Sequence, residues 1–485
     1  MNILCLTSEA APFAKIGGLA DVMAALPRHL HRAGHDVRVF LPFYGTIDTT
    51  RGRFNLVPGL NDIDIRLGSH HYVVSIVAAE APGAELPVFL VHCPVLYHRA
   101  SIYTADPDEH LRFLVLSAAA LAACQRMGFA PDVVHCNDWQ SALTPLALKT
   151  LFAWDRLFER ARTLLTIHNL QYQGVFGGFA VADSGMGGSA HLFHQDQLRS
   201  GRVNFLLHGI LYADGINTVS PTYAHEIQTE QHGAGLDPFL RARSATVVGI
   251  LNGVDYDEWS PDRDSHIEQP YSAEDLAGKE LDKRALLTAL GLPYVEGVPV
   301  VGIVSRLAGQ KGFALLGQVM PDLLRRHGFQ MAVLGSGEGR FEEMFTALQQ
   351  TFPRQVCFYR GFSNQLAHMI EAGADMFLMP SIYEPCGLNQ MYSLRYGTVP
   401  IVHRTGGLAD TVRPWNPSTG EGNGILFEHH DEAGLRWAIE AAMELYRDRG
   451  AWLRVMRNGM AEDFSWDVQA RLYEQLYARL QILRA

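Results

Sequence analysis

The sequence predicts an α/β protein made of two doubly wound domains, and three observations carry that prediction. Short apolar runs that read as buried strands alternate with helix-period segments along most of the chain, as in a parallel sheet covered on both faces. The length, 485 residues, exceeds what one hydrophobic core ordinarily organises. Nearly the same phrase stands near each end: Lys15-Ile16-Gly17-Gly18-Leu19-Ala20-Asp21-Val22 and Arg404-Thr405-Gly406-Gly407-Leu408-Ala409-Asp410-Thr411. Paired glycines ahead of a helix let the backbone approach an anion and present the free amides of a helix N-terminus. Two copies imply two similar halves that each turn a loop toward one ligand.

Residues 1–8 read as the first strand, followed by a loop and a helix over 19–33 that contains Pro27 and stops at Gly34. Residues 37–42 form the next strand. Alternating residues between turn signals over 51–93 predict short strands, at 72–77 and 88–91. A helix over 109–127 precedes a strand at 133–136, and a helix over 141–152 leads to a strand at 163–167. The glycine-rich stretch 174–190 reads as a mobile loop. A strand at 215–219 follows, then a helix start at Ser220-Pro221. The pattern turns irregular around 247–255, where one domain should hand over to the next. Strands at 300–304, 331–334, 356–359, 376–379 and 399–402 then alternate with helices, and 466–483 is an amphipathic helix. Ligands of such sheets sit at the carboxyl ends of the strands.

Composition excludes several functions. Hydrophobic residues make up 48% and charged ones 19%, which is globular and not disordered. Fifty-one acids against forty bases leave a net charge of −11, so neither nucleic acid nor an anionic membrane is an expected partner. The six cysteines show no paired spacing, and several lie in apolar runs, as in a reducing compartment. The first residues run directly into a strand, and no uninterrupted apolar window reaches the ~18 residues of a membrane span. A cytoplasmic protein is expected.

The candidate chemistry collects at strand ends. Arg306 and Lys311 follow the strand at 300–304, where two cations can clamp a diphosphate; the same residues also suit a solvated loop. Glu384, in Glu384-Pro385-Cys386-Gly387, follows the strand at 376–379. It either holds a sugar's hydroxyls and stabilises positive charge at its anomeric carbon, or caps a helix. Cys386 lacks a neighbouring base, which speaks against a catalytic thiol. His168 follows the strand at 163–167 and suits a sugar hydroxyl or a structural hydrogen bond. No second ligand stands at metal spacing beside it, so zinc is rejected. Asp138-Trp139 pairs a carboxylate with an aromatic platform for a pyranose, or is a cap followed by a packed ring. The run Gly335-Ser336-Gly337-Glu338-Gly339 has Arg340 where a dinucleotide fingerprint needs its third glycine, so it reads as a loop lining a nucleotide site.

Taken together, KIGGLADV, HNLQYQG, LNGVD, SRLAGQKG, PSIYEPCGLNQ, RTGGLADTV and the final DFSW resemble bacterial glycogen synthases and the related starch synthases over nearly the whole chain. The departures, Ile16, Ala308 and Cys136-Asn137 ahead of Asp138-Trp139, touch no charged site residue. The resemblance implies a GT-B fold: two Rossmann-like domains facing a deep cleft, residues 1–248 completed by a returning helix over 464–485, and residues 249–463. It implies retaining transfer of glucose from ADP-glucose to the non-reducing end of an α-1,4-glucan such as glycogen. Residue by residue, Lys15, Gly17 and Gly18 approach the donor phosphates, Arg306 and Lys311 hold the diphosphate, and Thr405, Gly406 and Gly407 supply amides to it. Glu384 and His168 flank the glucose, with Asn252 and Asp138 near the sugar. Gly335, Cys386 and Gly387 line the donor site, and Phe362 stacks on the adenine. Tyr97 and Trp139 are acceptor contacts. No cofactor is implied, and no Asp-x-Asp at a strand end suggests a metal. The alternatives are another retaining GT-B enzyme that uses a UDP-sugar or a small acceptor, and a non-catalytic glucan-binding protein. A phosphorylase would need a lysine-bound pyridoxal phosphate, for which the sequence offers no support.

Overall fold

In the computed structural model, which describes residues 1–81 and 85–482, the apolar runs become the inner strands of two separate sheets. The chain divides into two compact units: Met1–Val219 with Ala224–Gly253 and the segment from Trp466, and Ser220–Tyr223 with Val254–Ser465.

The first unit holds a ten-stranded sheet in the order Val247–Gly249, Gly215–Thr218, Arg162–Ile167, Val133–Asn137, Asn2–Leu6, Asp36–Pro42, Val88–His92, His70–Glu80, Arg53–Leu56. Ile63–Leu67 pairs with His70–Glu80 off this path. Pairing is parallel from Val247–Gly249 through Val88–His92 and antiparallel beyond. Asn2–Leu6 is central and almost wholly buried, which explains its unbroken apolar run. The order reverses between Asn2–Leu6 and Val133–Asn137. The terminal helix Trp466–Ile482 packs on this unit through Tyr473 and Tyr477, both fully buried. The Tyr477 hydroxyl meets His135 Nδ1 at 2.9 Å, and Asn217 Nδ2 donates to the Tyr473 hydroxyl at 3.2 Å.

The second unit is a six-stranded, all-parallel sheet in the order Val356–Arg360, Gln330–Gly337, Val300–Leu307, Met376–Met379, Val399–His403, Ile425–Phe427. Both faces are buried. Val301, Ile303, Met331 and Val333 belong to one apolar cluster, while Val300, Ala332 and Leu334 belong to the cluster opposite. Here too the order reverses, between Val300–Leu307 and Met376–Met379. These two strands pair only at Val301↔Met376 and Gly302↔Phe377, whereas Val300–Leu307 stays paired to Gln330–Gly337 along its whole length. Beyond Gly302 the neighbours part, and a crevice opens at their carboxyl ends.

Four expectations are corrected. The strand at 300–304 runs on to Leu307, so Arg306 sits on the strand itself. Gly335–Gly337 likewise finishes a strand and is no loop. The helix expected over 141–152 is two short ones, Asp138–Ser141 and Thr144–Lys149, the second with proline in its first turn. The glycine-rich stretch 174–190 is built: Val175–Gly177 pairs antiparallel with Arg202–Asn204, and the helix Ala180–Asp183 follows. Asp183 ties it down by accepting from His70 Nε2 at 3.0 Å and His110 Nε2 at 2.9 Å, contacts that no local pattern announces. Among the described residues no helix is long and apolar enough to cross a membrane, and no cluster of three or more His, Cys, Asp or Glu could hold a metal.

Candidate active site

The crevice of the second unit is a cavity of about 170 Å³ lined by Ser305, Arg306, Lys311, Ser381, Glu384, Gly387 and Asn389, with Val304, Phe313, Leu378 and Met379 as its apolar wall. Two loops build it. The turn Gly309–Lys311 follows the strand that ends at Leu307, and residues 380–388 follow the strand Met376–Met379. Backbone contacts join them: Ile382 N donates to Gln310 O at 2.9 Å, and Gln310 Nε2 donates to Tyr383 O at 3.1 Å. Gly312 makes this approach possible. Its φ is +74°, and a Cβ there would lie 1.8 Å from Pro380 O.

The approach brings Lys311 onto Glu384, 73 residues away in sequence. Lys311 Nζ donates to Glu384 Oε2 at 2.6 Å, and Ser381 Oγ donates to the same oxygen at 2.8 Å. Both charged side chains are mostly buried, at 18% and 8% exposure. Glu384 Oε1 receives no hydrogen bond from the described residues and is left to accept from a ligand. The Arg306 side chain is exposed on the cavity wall and forms no hydrogen bond or ion pair among the described residues, while its backbone carbonyl accepts from Ser305 Oγ and Ala308 N. The expected clamp therefore divides. Lys311 spends one of its three donors on Glu384, while the Arg306 fork is wholly uncommitted. Ser305, Ser381 and Asn389 were not singled out by sequence. Their signal was position alone, at a strand end or a helix start.

Of the glycine amides expected to face the diphosphate, those of Gly407 and Gly17 are already engaged. Gly407 N donates to Glu384 O at 3.1 Å and Pro385 O at 3.2 Å, so it is not a free amide. A Cβ on Gly406 would lie 2.0 Å from Glu384 O, and one on Gly407 2.0 Å from Cys386 O. The pair lets the 384–386 turn lie against the start of the helix Gly406–Thr411. Cys386 and Thr405 are buried in the same packing, and Gly387 remains on the cavity wall. Gly335 is a packing glycine, whose Cβ would meet Ser305 O at 2.2 Å. Phe362, just past the edge strand Val356–Arg360, is 79% exposed, a free ring face.

At the reversal point of the first unit the other copy of the glycine phrase already holds an anion, the chain's own. Glu9 Oε2 accepts from Ile16 N at 2.7 Å and Gly17 N at 2.9 Å, and Glu9 Oε1 accepts from the Tyr103 hydroxyl at 2.6 Å. Gly18 begins the helix Gly18–Arg32, and Lys15 pairs with Asp21 at 2.6 Å. Sequence reasoning missed Glu9. Across the same reversal, Asp138 adopts φ +52°, unusual for a residue with a side chain, and its Oδ1 accepts from His168 N at 2.7 Å. Burial pushes the Asp138 carboxyl up to about 7, against the pull of amides from His168 and Asn169. Burial, helped by His135, lowers His168 to about 3. The neutral His168 ring donates from Nε2 to Asn137 Oδ1 at 2.9 Å, which leaves Nδ1 as an acceptor.

The two aromatic residues expected as acceptor contacts both lie buried in the first unit. Tyr97 is fully buried, and its hydroxyl donates to Arg112 O at 2.7 Å. Trp139 is only 9% exposed and packs among Phe113, Phe176 and Phe205. Both rings fill core. Asn252 is also buried in the first unit.

Two α/β units, one on a mixed and one on an all-parallel sheet, each with polar residues gathered where its strand order reverses, define a GT-B glycosyltransferase. Residues 2–242 match the family model of the starch synthase catalytic domain, and residues 292–454 match that of the glycosyl transferases group 1. The chain is 44% identical over 491 residues to the glycogen synthase of Koribacter versatilis, covering 100% of this chain and 99% of that one. It is 45% identical over 482 residues to that of Myxococcus xanthus, covering 98% and 99%. The chain belongs to the glycogen synthase family. Among solved structures, the catalytic domain of starch synthase IV from Arabidopsis thaliana, bound to ADP and acarbose, superposes with a TM-score of 0.91 at 35% identity, over 99% of each chain.

Proposed function

We propose that this chain lengthens an α-1,4-glucan by transferring glucose from ADP-glucose to the non-reducing end, with retention at the anomeric carbon. The observation that carries this reading is the cavity at the reversal point of the second sheet, where an uncommitted Arg306 stands beside the Lys311–Glu384 pair. A departing nucleoside diphosphate accumulates negative charge as the sugar–oxygen bond breaks. Arg306, with the remaining donors of Lys311, meets that charge and lowers the barrier. Glu384, held by Lys311 and Ser381 through one oxygen, has the other available for a hydroxyl of the donor sugar. Its charge opposes the positive charge that develops at the anomeric carbon. Phe362 offers a ring face to the adenine, and the ADP in the Arabidopsis relative supports an adenine nucleotide as the leaving group.

Retention requires a covalent glucosyl intermediate or attack from the face that the diphosphate leaves. Cys386 is buried against the glycine pair, so a thiol nucleophile has no support. We favour attack on the leaving-group face, through an ion pair that the Arg306 side of the cavity stabilises. The test is incorporation of radiolabelled glucose into glycogen from ADP-glucose or UDP-glucose. Incorporation chiefly from ADP-glucose is expected, and none from either donor would refute the reading in favour of a glucan-binding protein.

A further inference from the structure

Two imidazoles that the proposed reaction does not use lie behind the Glu384 loop. His403 is the last residue of the strand Val399–His403, and His430 precedes the helix Glu432–Arg447. His403 Nδ1 stands 2.8 Å from Ser381 O, and His430 Nε2 stands 2.8 Å from Pro380 O. A carbonyl only accepts, so each of these nitrogens carries a hydrogen and donates. The rings meet edge to face at 5.0 Å, and His403 also packs on Phe427. The two carbonyls are consecutive. They belong to the bend at which the strand Met376–Met379 turns into the loop that carries Glu384.

We infer that His403 and His430 are positioning residues that set the aim of Glu384 by holding the carbonyls of Ser381 and Pro380. Two links connect the rings to the carboxylate. The Ser381 carbonyl is pinned by His403, while the hydroxyl of the same residue donates to Glu384 Oε2 at 2.8 Å. The Pro380 carbonyl is pinned by His430 at the point where Gly312 lies closest, so His430 also sets the spacing between the loop and the Lys311 turn. A Cβ on Gly312 would lie 2.8 Å from His430 Nε2 as well as 1.8 Å from Pro380 O. Residue 380 is a proline and lacks an amide hydrogen, so the bend has one donor fewer with which to hold itself. Side-chain donors supply what the backbone cannot. Burial keeps His403 below its ordinary range, with His430 acting the same way and the carbonyls of Ser381 and Glu428 opposing, which favours a neutral ring with a settled hydrogen.

This inference rests on the role proposed for Glu384, and the test separates the two. Asn places its amide nitrogen where histidine has Nδ1, and Gln places it where histidine has Nε2. His403→Asn and His430→Gln therefore keep the donor, while His403→Gln and His430→Asn displace it and the two Leu variants remove it. Displacement or removal is expected to lower kcat about 10- to 100-fold, the scale of a misplaced catalytic group, with the KM for ADP-glucose within about twofold. His403→Asn and His430→Gln should recover most of kcat. Thermal unfolding identifies any variant that fails to fold, and the Asn/Gln exchange compares side chains of equal polarity should both Leu variants be lost. Equal kcat for the matched and displaced amides at each position overturns the inference. Glu384→Ala assigns the fault. An active Glu384→Ala enzyme overturns the Glu384 reading and the inference with it, whereas an inactive one beside active displaced variants overturns the inference alone.

Discussion

Arg306→Ala and Lys311→Ala should both impair turnover, yet only one should weaken the fold. Each removes a cation from the same cavity wall. One lost contact to a developing oxyanion is worth about 2.7 kcal/mol or more. At ~1.36 kcal/mol per decade, this lowers kcat/KM by at least ~10²-fold in either variant. The structural costs differ. The Arg306 side chain is exposed and has no partner among the described residues, so its loss should change stability by no more than ~0.5 kcal/mol. Lys311 neutralises Glu384 at 2.6 Å, with the carboxylate only 8% exposed. Its removal strands a nearly buried charge, for which about 3 kcal/mol is the appropriate scale. At roughly 2–4 °C per kcal/mol, the thermal midpoint should fall by about 6–12 °C. Initial rates with labelled ADP-glucose and scanning calorimetry of the same preparations give both quantities. Near-normal turnover in both variants would sink the clamp. An unchanged midpoint for Lys311→Ala would show that the Lys311–Glu384 pair does not hold the loop.

Three further outcomes are expected. Gly312→Ala should cost more than ~2 kcal/mol, since it adds a left-handed backbone penalty to the collision with Pro380 O; denaturant unfolding measures it. Cys386→Ser should keep most of its activity, and an inactive but folded enzyme would revive a thiol mechanism. His168, lowered from 6.5 to about 3, contributes stability that is fully present above pH 6.5 and is lost as the pH falls toward 3, because the unfolded chain takes up the proton first. Replacing it with Gln should remove about one proton, ~1.4 kcal/mol per pH unit, from the slope of stability across that window. An unaltered slope would refute the neutral, buried imidazole.

Local chemistry sufficed for much of this molecule. The helix Glu109–Met127 was legible to both ends, since its apolar period starts at an acidic first turn and stops at Gly128. The strands Met376–Met379 and Val399–His403 were legible because strands buried on both faces need continuous apolar runs. The location of Arg306, Lys311 and Glu384 at carboxyl ends of strands followed from the same pattern. What only the tertiary structure decided was partnership. Periodicity reports which face of an element is buried, but not which chain segment covers it. Lys311 could be read as a cation, yet its pairing with Glu384 depends on Gly312 letting two loops touch. Gly17 and Gly407 could be read as amide donors, yet Glu9 and the Glu384 carbonyl already occupy them. Tyr97 and Trp139 had the composition of sugar platforms and became core, because Arg112 and three phenylalanines enclose them. A hydrogen bond satisfies whichever acceptor the fold brings within reach, and that choice is made where distant segments cross.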